Sequence, residues 1–193
     1  MIWRSAHPSE GARWFSQLSV PWWVAGGWAL DLFAGNQSRP HGDLDIGVLR
    51  RDVAEVLAML SSWEIVEAKG GVLSPLRAGA TPRLDVNSLW CRTKGMARWM
   101  LELMLDESAD DCWVFRRHPD IRRELSRAVQ RSSEGLPYLA PEIQLLYKAK
   151  AIRGCDRADF DYVAPLLDQS ARNWLRNALI KSEPGHEWIA RLA

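Results

Sequence analysis

Two aspartates separated by a single residue, Asp43 and Asp45, are the feature of this chain that most directly suggests chemistry. Polar and apolar residues alternate from Asp43 to Val48, which predicts a strand with both carboxylates on one face. Adjacent carboxylates repel each other, and a divalent cation such as Mg²⁺ is the usual reason for such a pair, because it takes oxygen ligands and bridges them to phosphates. The competing interpretation is a half-exposed strand with two solvated aspartates.

Two glycines and two basic side chains stand close to this pair in the chain. Gly26 and Gly27 follow an apolar run that predicts a short buried strand, and glycine lets the backbone turn tightly and approach a ligand. A short helix is expected after the glycines, and Arg39 and His41 come just before Asp43. This order of glycine turn, helix, basic loop and paired carboxylates favours a binding site.

Residues 26–35, GGWALDLFAG, and 39–46, RPHGDLDI, together resemble the signature of the small antibiotic nucleotidyltransferases. The resemblance is to the lincosamide and the aminoglycoside 2″-nucleotidyltransferases of the DNA polymerase β-like superfamily. In these enzymes the glycine pair opens a helix beneath the triphosphate, and the two aspartates hold Mg²⁺. The resemblance therefore implies ATP or another NTP as co-substrate and two Mg²⁺ ions as cofactors.

The resemblance also suggests roles for the residues around the aspartates. Gly26 and Gly27 are expected to present backbone N–H groups at a helix N-terminus, where anions bind. Arg39 and His41 would then meet the β- and γ-phosphates. The alternative for His41 is a surface loop histidine, but its two-residue spacing from Asp43 favours the site. Lys148 lies in YLAPEIQLLYKAKA, which resembles a helix of the same family. It is a candidate for the triphosphate or the acceptor side, and its alternative is a solvated helix lysine.

A third carboxylate is expected on a neighbouring strand. Residues 83–90 alternate as a strand would, with Asp85 on the face opposite Leu84 and Val86. The segment LDVNSLW resembles the one that carries the third metal ligand in the antibiotic enzymes. Asp85 is therefore expected to complete the metal site with Asp43 and Asp45 and to act as general base. The alternatives are a solvated edge-strand aspartate at position 85, and Glu102 as the third carboxylate.

Composition limits the other possibilities. The chain has 193 residues, a formal net charge of +1, 47% hydrophobic and 25% charged residues, which is ordinary for a soluble globular protein. This balance offers no general attraction for nucleic acid, so a nucleic-acid partner is not expected. The three cysteines form no metal-binding spacing or disulfide framework, and no membrane segment is evident. A cytoplasmic monomer or homodimer is the expected form.

The expected fold class is α+β. Residues 1–118 should form the nucleotidyltransferase domain, a mixed sheet with flanking helices, and residues 119–193 a helical C-terminal domain. A helix rich in arginine is predicted from Pro119, with Arg122, Arg123, Arg127 and Arg131 on a solvated face or on a surface for phosphate or an acidic partner. The active site is expected in the cleft between the two parts.

Three functions are compatible with these features. The first is transfer of a nucleoside monophosphate, AMP in particular, to a hydroxyl of a small antibiotic-like acceptor such as an aminoglycoside or a lincosamide. The second is nucleotidyl transfer to a protein or an RNA, as in toxin–antitoxin systems. The third is nucleotide binding without catalysis, which retention of three carboxylates argues against.

Overall fold

The structure, a computed structural model that describes residues 3–193, is built on one ten-stranded mixed sheet. The strands are β1 (Trp22–Val24), β2 (Asp45–Leu49), β3 (Trp63–Lys69), β4 (Val72–Pro75), β5 (Ser88–Thr93), β6 (Leu101–Ala109), β7 (Cys112–Val114), β8 (Arg122–Glu124), β9 (Val129–Arg131) and β10 (Pro137–Leu139). The helices are α1 (Pro8–Trp14), α2 (Gly26–Ala34), α3 (Val53–Met59), α4 (Leu125–Ala128), α5 (Pro141–Ala149), α6 (Gly154–Val163), α7 (Gln169–Ser182) and α8 (Trp188–Arg191), with 3₁₀ turns at Arg50–Asp52 and Ala164–Leu166.

The order of strands across the sheet places β2 at its centre. The path runs β4-β3-β5-β6-β2-β1-β10-β9, and β7 joins β6 to β8. The pairs β2–β6 and β1–β10 are parallel, and the other pairs are antiparallel. Asp45 pairs with Glu102 in the β2–β6 register. Directly paired residues point to the same face of a sheet, so these two carboxylates lie on one side.

Alternation along β6 separates the core from the cleft. Leu101, Leu103 and Leu105 are fully buried against the hydrophobic core. Glu102 and Asp106 lie on the opposite face and line a cleft. Because the side-chain period of a strand is two residues, the leucine spacing alone fixes which acidic residues face the cleft.

The α+β fold class predicted from the sequence is confirmed. The strand before the glycine pair, the helix after it and the strands around residues 64–67 and 72–73 are all present. Helix α2 ends as predicted at Gly35, which adopts a left-handed conformation with φ of 78°. Glycine is favoured there because a side chain would strain this backbone geometry.

The strand positions predicted for two aspartates are wrong. Asp43 lies in a bend, and β2 begins only at Asp45, although the Leu44 carbonyl already accepts the Glu102 N–H at 2.9 Å. Asp85 lies in a turn, and β5 begins at Ser88. This turn is fixed from outside the segment: buried Glu67 accepts the backbone N–H of Arg83 at 2.7 Å and pairs with its guanidinium at 2.7 Å.

The arginine-rich helix predicted from Pro119 is also wrong. The segment forms strand β8, the single turn α4 and strand β9. Pairing of β8 with β7 and of β9 with β10 supplies backbone hydrogen bonds that a local helix would otherwise have made. Strands of the sheet therefore continue to Leu139, and the division into residues 1–118 and 119–193 stays a prediction.

The helical part packs against the open side of the cleft. Helix α5 is buried along most of its length and contacts α2, α6 and α7. Its residues Tyr147 and Lys148 line the cleft opposite the strands. No helix of residues 3–193 has the length and apolar character needed to cross a membrane.

Candidate active site

The largest concentration of charged side chains faces a cleft of about 500 Å³ between the sheet and helices α5 and α6. Its walls come from the start of α2, the loop before β2, strand β6, the segment after β7, and α5 with the beginning of α6. The charged residues lining it are Arg39, Asp43, Asp45, Glu102, Asp106, Arg116, Arg117, Lys148, Lys150, Arg153 and Asp156.

Three carboxylates converge on the sheet side of this cleft. One ligand atom from each of Asp43, Asp45 and Glu102 lies within 4.8 Å of the other two. Burial, the charge of Glu102 and the charge of Asp43 raise the pKa of Asp45 well above its usual value. Burial also raises the pKa of Glu102. A cluster of this kind is costly unless a cation neutralises it, and its oxygen donors suit Mg²⁺.

Neighbouring side chains fix the position of Glu102. The Ser88 hydroxyl donates a hydrogen bond to Glu102 Oε1 at 2.6 Å. Ser88 and Trp90 belong to β5, which pairs antiparallel with β6, with Trp90 directly opposite Glu102. The third carboxylate is therefore held by the adjacent strand.

The glycine pair leaves space that the site needs. Gly26 has φ of +65°, and a Cβ built there would lie 1.9 Å from Asp45 Oδ2. A Cβ on Gly27 would lie 2.4 Å from His41 Cε1 and 2.7 Å from Arg39 Nη2. The Gly26 N–H, which the sequence predicted to be open to an anion, instead donates to Gln144 Oε1 at 2.8 Å.

His41 is part of a buried polar group that shapes the loop before β2. Its Nε2 lies 2.5 Å from Asp31 Oδ2, and its ring packs against Trp28 with 4.5 Å between the ring centres. Asp31 also accepts hydrogen bonds from the Ser38 backbone and hydroxyl. Asp31 therefore ties helix α2 to both Ser38 and His41 of the loop before β2.

Arg39 and Lys148 are joined through Asp159. Arg39 makes a two-pronged contact with Asp159 at 2.9 and 3.1 Å, and Lys148 Nζ lies 2.9 Å from Asp159 Oδ2. Lys148 and Arg153 both bind Asp156. Burial acts to raise the pKa of Asp159, but the hydrogen bonds from Arg39 and Lys148 outweigh it and lower that pKa. The same balance keeps Asp156 ionised.

Asp106 is among several cleft residues that the sequence analysis missed. Asp106 is buried on β6 and accepts a hydrogen bond from the Tyr147 hydroxyl at 2.6 Å. Burial raises its pKa to about 6, against a usual value of 3.8. The alternation of β6 could have revealed it, since Asp106 follows Glu102 by four residues on the same face.

Asp85 is not brought to this cluster. Its side chain is 59% exposed and forms an ion pair with Lys69 at 2.5 Å. The structure thus gathers every other predicted site residue into one cleft and places Glu102, the second candidate, beside Asp43 and Asp45. The predicted residues that line the cleft are Gly26, Gly27, Arg39, His41, Asp43, Asp45 and Lys148.

Comparison with known proteins gives one family and several solved structures. Residues 12–160 match the family described as aminoglycoside-2″-adenylyltransferase. No protein among those with curated descriptions matches the chain.

Three of the similar structures are of LnuA and ANT(2″)-Ia, at low sequence identity. Lincosamide antibiotic adenylyltransferase LnuA, with lincomycin bound, is 17% identical with a TM-score of 0.57, covering 82% of this chain and 95% of that one. The antibiotic-resistance factor ANT(2″)-Ia in solution is 16% identical with a TM-score of 0.58, covering 88% and 86%. ANT(2″)-Ia in complex with adenylyl-2″-tobramycin is 12% identical with a TM-score of 0.55, covering 88% and 92%. At these identities the likeness shows a common fold.

Proposed function

The chain belongs to the aminoglycoside-2″-adenylyltransferase family, and on that basis we propose that it transfers AMP from ATP to a hydroxyl of a small antibiotic-like acceptor in the presence of Mg²⁺. The observation that carries this proposal is the cluster of Asp43, Asp45 and Glu102 beside a helix N-terminus in one cleft. Family membership supports the reaction class, and the cluster supports the metal requirement.

The residues present fit a divalent cation. Asp43, Asp45 and Glu102 offer hard oxygen donors at mutual distances within 4.8 Å, and their repulsion makes the metal-free site unfavourable. Magnesium bound there would make the α-phosphate more electrophilic and stabilise the pyrophosphate leaving group. The three carboxylates would orient the cation, and Ser88 would keep Glu102 in place.

The opposite wall of the cleft suits the triphosphate. The start of helix α2 supplies the positive end of a helix dipole, and Arg39 and His41 border it. Arg39 keeps part of its donor capacity, because its Nη1 makes only a 3.4 Å contact with the Pro40 carbonyl. Lys148 also lies on this wall, and its ion pairs with Asp156 and Asp159 fix the position of its ammonium group.

The acceptor hydroxyl is expected at Glu102. This carboxylate borders both the cleft and a second groove on the β3–β5 side, so a hydroxyl entering from that groove reaches it directly. Glu102 takes over the general-base role that the sequence suggested for Asp85, a role worth typically ~10²–10⁴-fold in rate. Its raised pKa is compatible with accepting a proton.

The test combines nucleotide binding with transfer. We expect ATP to bind by calorimetry with Mg²⁺ or Mn²⁺ and to lose most of its affinity in EDTA. Pyrophosphate release should then require both the cation and a small hydroxyl acceptor. Release that needs a protein or tRNA acceptor instead would favour the macromolecular alternative, and equal ATP affinity with EDTA would contradict the metal-dependent site.

A further inference from the structure

A shallow groove of about 890 Å³ adjoins the cleft on the β3–β5 side. It runs past the β3–β4 turn and the 84–88 segment and shares with the cleft the residues at their junction. The shared residues are Glu102, Met104, Arg116, Arg117 and Lys150. An acceptor that approaches Glu102 from outside the nucleotide cleft must pass along this groove, so its charges act on the acceptor.

The acidic residues of the groove already have partners. Asp85 pairs with Lys69 at 2.5 Å, and Glu107 pairs with Arg50 Nε at 2.5 Å. The remaining carboxylate is Glu102, which belongs to the metal cluster. The groove therefore offers no surplus negative charge to a ligand with several ammonium groups.

Three basic residues at the junction of the groove and the cleft, unlike these acidic residues, have no ion-pair partner within residues 3–193. Arg116, Arg117 and Lys150 form no ion pair with a carboxylate anywhere in residues 3–193. Arg116 acts on buried Asp106 only at longer range, by lowering its pKa. Burial and the adjacent charge of Arg116 lower the pKa of Arg117, which identifies two guanidinium groups that repel each other. An anion between them would relieve this repulsion.

Both arginines are held in a way that leaves their hydrogen-bond donors available. Arg116 lies over the Tyr147 ring at 5.0 Å, and Arg117 lies 5.6 Å from the same ring. Arg117 Nη1 also donates to the Tyr147 carbonyl at 3.3 Å. Stacking uses the face of a guanidinium and leaves its N–H edge free, which suits two-pronged binding of an oxyanion.

Arg116 and Arg117 lie away from the wall of the cleft that suits the triphosphate. Tyr147, on which both arginines stack, bonds to Asp106, and Asp106 is four residues beyond Glu102 on β6. That spacing corresponds to about 13 Å along a strand. Arg39 and the α2 N-terminus border the cleft at the β1 side, beyond β2.

We propose that the acceptor is a small hydroxyl compound that carries an oxyanion, a phosphate or a carboxylate, which binds between Arg116 and Arg117. An aminoglycoside, whose amino groups are protonated at neutral pH, meets in this groove three cations that form no ion pair within residues 3–193, and its only carboxylate without an ion-pair partner there is Glu102 of the metal cluster. The inference rests on the proposed AMP transfer and specifies the charge that its acceptor carries.

The first experiment compares acceptors that share a ring and differ in charge. Pyrophosphate release with MgATP is measured with glucose, glucose 6-phosphate, glucuronate and tobramycin at equal concentrations. We expect the phosphate or the carboxylate compound to stimulate release at least ~10-fold over glucose, because one charge-assisted contact is worth about that factor. The two anionic arms distinguish phosphate from carboxylate.

The second experiment assigns the effect to the arginines. Arg116→Ala and Arg117→Ala should each raise the KM of the anionic acceptor ~10-fold or more while the KM of ATP changes less than twofold. Arg98→Ala is the matched control, since Arg98 is exposed and lines neither the cleft nor the groove. It should leave both values unchanged.

The outcomes distinguish a failure of the oxyanion site from a failure of the proposed AMP transfer. Stimulation by tobramycin, no stimulation by either anion, or a rise in the KM of ATP alone would overturn the oxyanion site while metal-dependent ATP binding persists. Loss of metal-dependent ATP binding in the wild-type protein would instead remove the proposed transfer itself.

Discussion

Glu102→Gln tests whether Glu102 completes the carboxylate cluster. One ligand atom of Glu102 lies within 4.8 Å of those of Asp43 and Asp45. Two unit charges at that separation repel by about 3 kcal/mol at an effective dielectric constant of ~20. The amide keeps an oxygen to accept the Ser88 hydrogen bond but carries no charge. The metal-free variant should therefore be more stable than the wild type by up to about 3 kcal/mol.

The same substitution should abolish turnover. It removes one of three oxygen anions expected to hold Mg²⁺ and also the proposed general base, whose contribution alone is ~10²–10⁴-fold. Thermal unfolding in EDTA should show the gain in stability, at ~2–4 °C for each kcal/mol in a chain of this size. Added Mg²⁺ should stabilise the wild type more than the variant, because the wild type alone keeps all three carboxylates.

Asp85→Asn provides the matched control. The Asp85 side chain is 59% exposed and pairs with Lys69. Its removal should leave the thermal unfolding midpoint and the turnover close to those of the wild type, because ion pairs between exposed side chains contribute little to stability. An inactive Asp85→Asn together with an active Glu102→Gln would refute the placement of the third carboxylate. A Glu102→Gln variant that is less stable in EDTA would refute the repulsion argument.

Three further substitutions test other parts of the site. Arg39→Ala should weaken ATP binding more than acceptor binding in calorimetric titrations, and unchanged ATP affinity would remove Arg39 from the nucleotide side. Gly26→Ala should reduce turnover sharply, because the new Cβ would stand 1.9 Å from Asp45 Oδ2 at a φ of +65°; an active variant with normal thermal stability would contradict this. Asp106→Asn should gain stability relative to the wild type as pH rises from 4 to 7. The raised pKa of about 6 means that ionising Asp106 costs the folded wild type about 3 kcal/mol above that pH, and denaturant titrations at several pH values would measure it.

Local sequence patterns were sufficient to predict the first half of the site. The apolar run before Gly26, the stop at Gly35 and the paired aspartates each depend on residues close together in the chain. The family resemblance, drawn mainly from this stretch, and the α+β class are confirmed. The hydrogen bond from Gly26 to Gln144 spans 118 residues, and no local pattern indicates it.

Local patterns could not predict which carboxylate joins the two aspartates, because this depends on strand register. Glu102 faces the aspartates because β6 pairs in parallel with β2, with Asp45 opposite Glu102. Asp85 had the more convincing local pattern, but Glu67 holds its segment in a turn outside the sheet. Tertiary contacts decided between two segments of similar alternation.

The helix predicted for the arginine-rich segment was wrong for a related reason. Arg122, Arg123, Arg127 and Arg131 suggested a solvated helix, yet β8 and β9 take their hydrogen bonds from β7 and β10. Arg123 forms a 2.6 Å ion pair with Glu142, a fully buried residue of α5. That contact joins the sheet to the helical part, and its partner lies 19 residues away.

Diffraction from crystals grown with Mn²⁺ and a non-hydrolysable ATP analogue tests the central claim most directly. Anomalous scattering locates the manganese independently of any assumption about its ligands. We expect a peak about 2 Å from carboxylate oxygens of Asp43, Asp45 and Glu102, with none at Asp85. A nucleotide-bound structure with manganese at Asp85, or with no manganese among the three carboxylates, would contradict the proposed site.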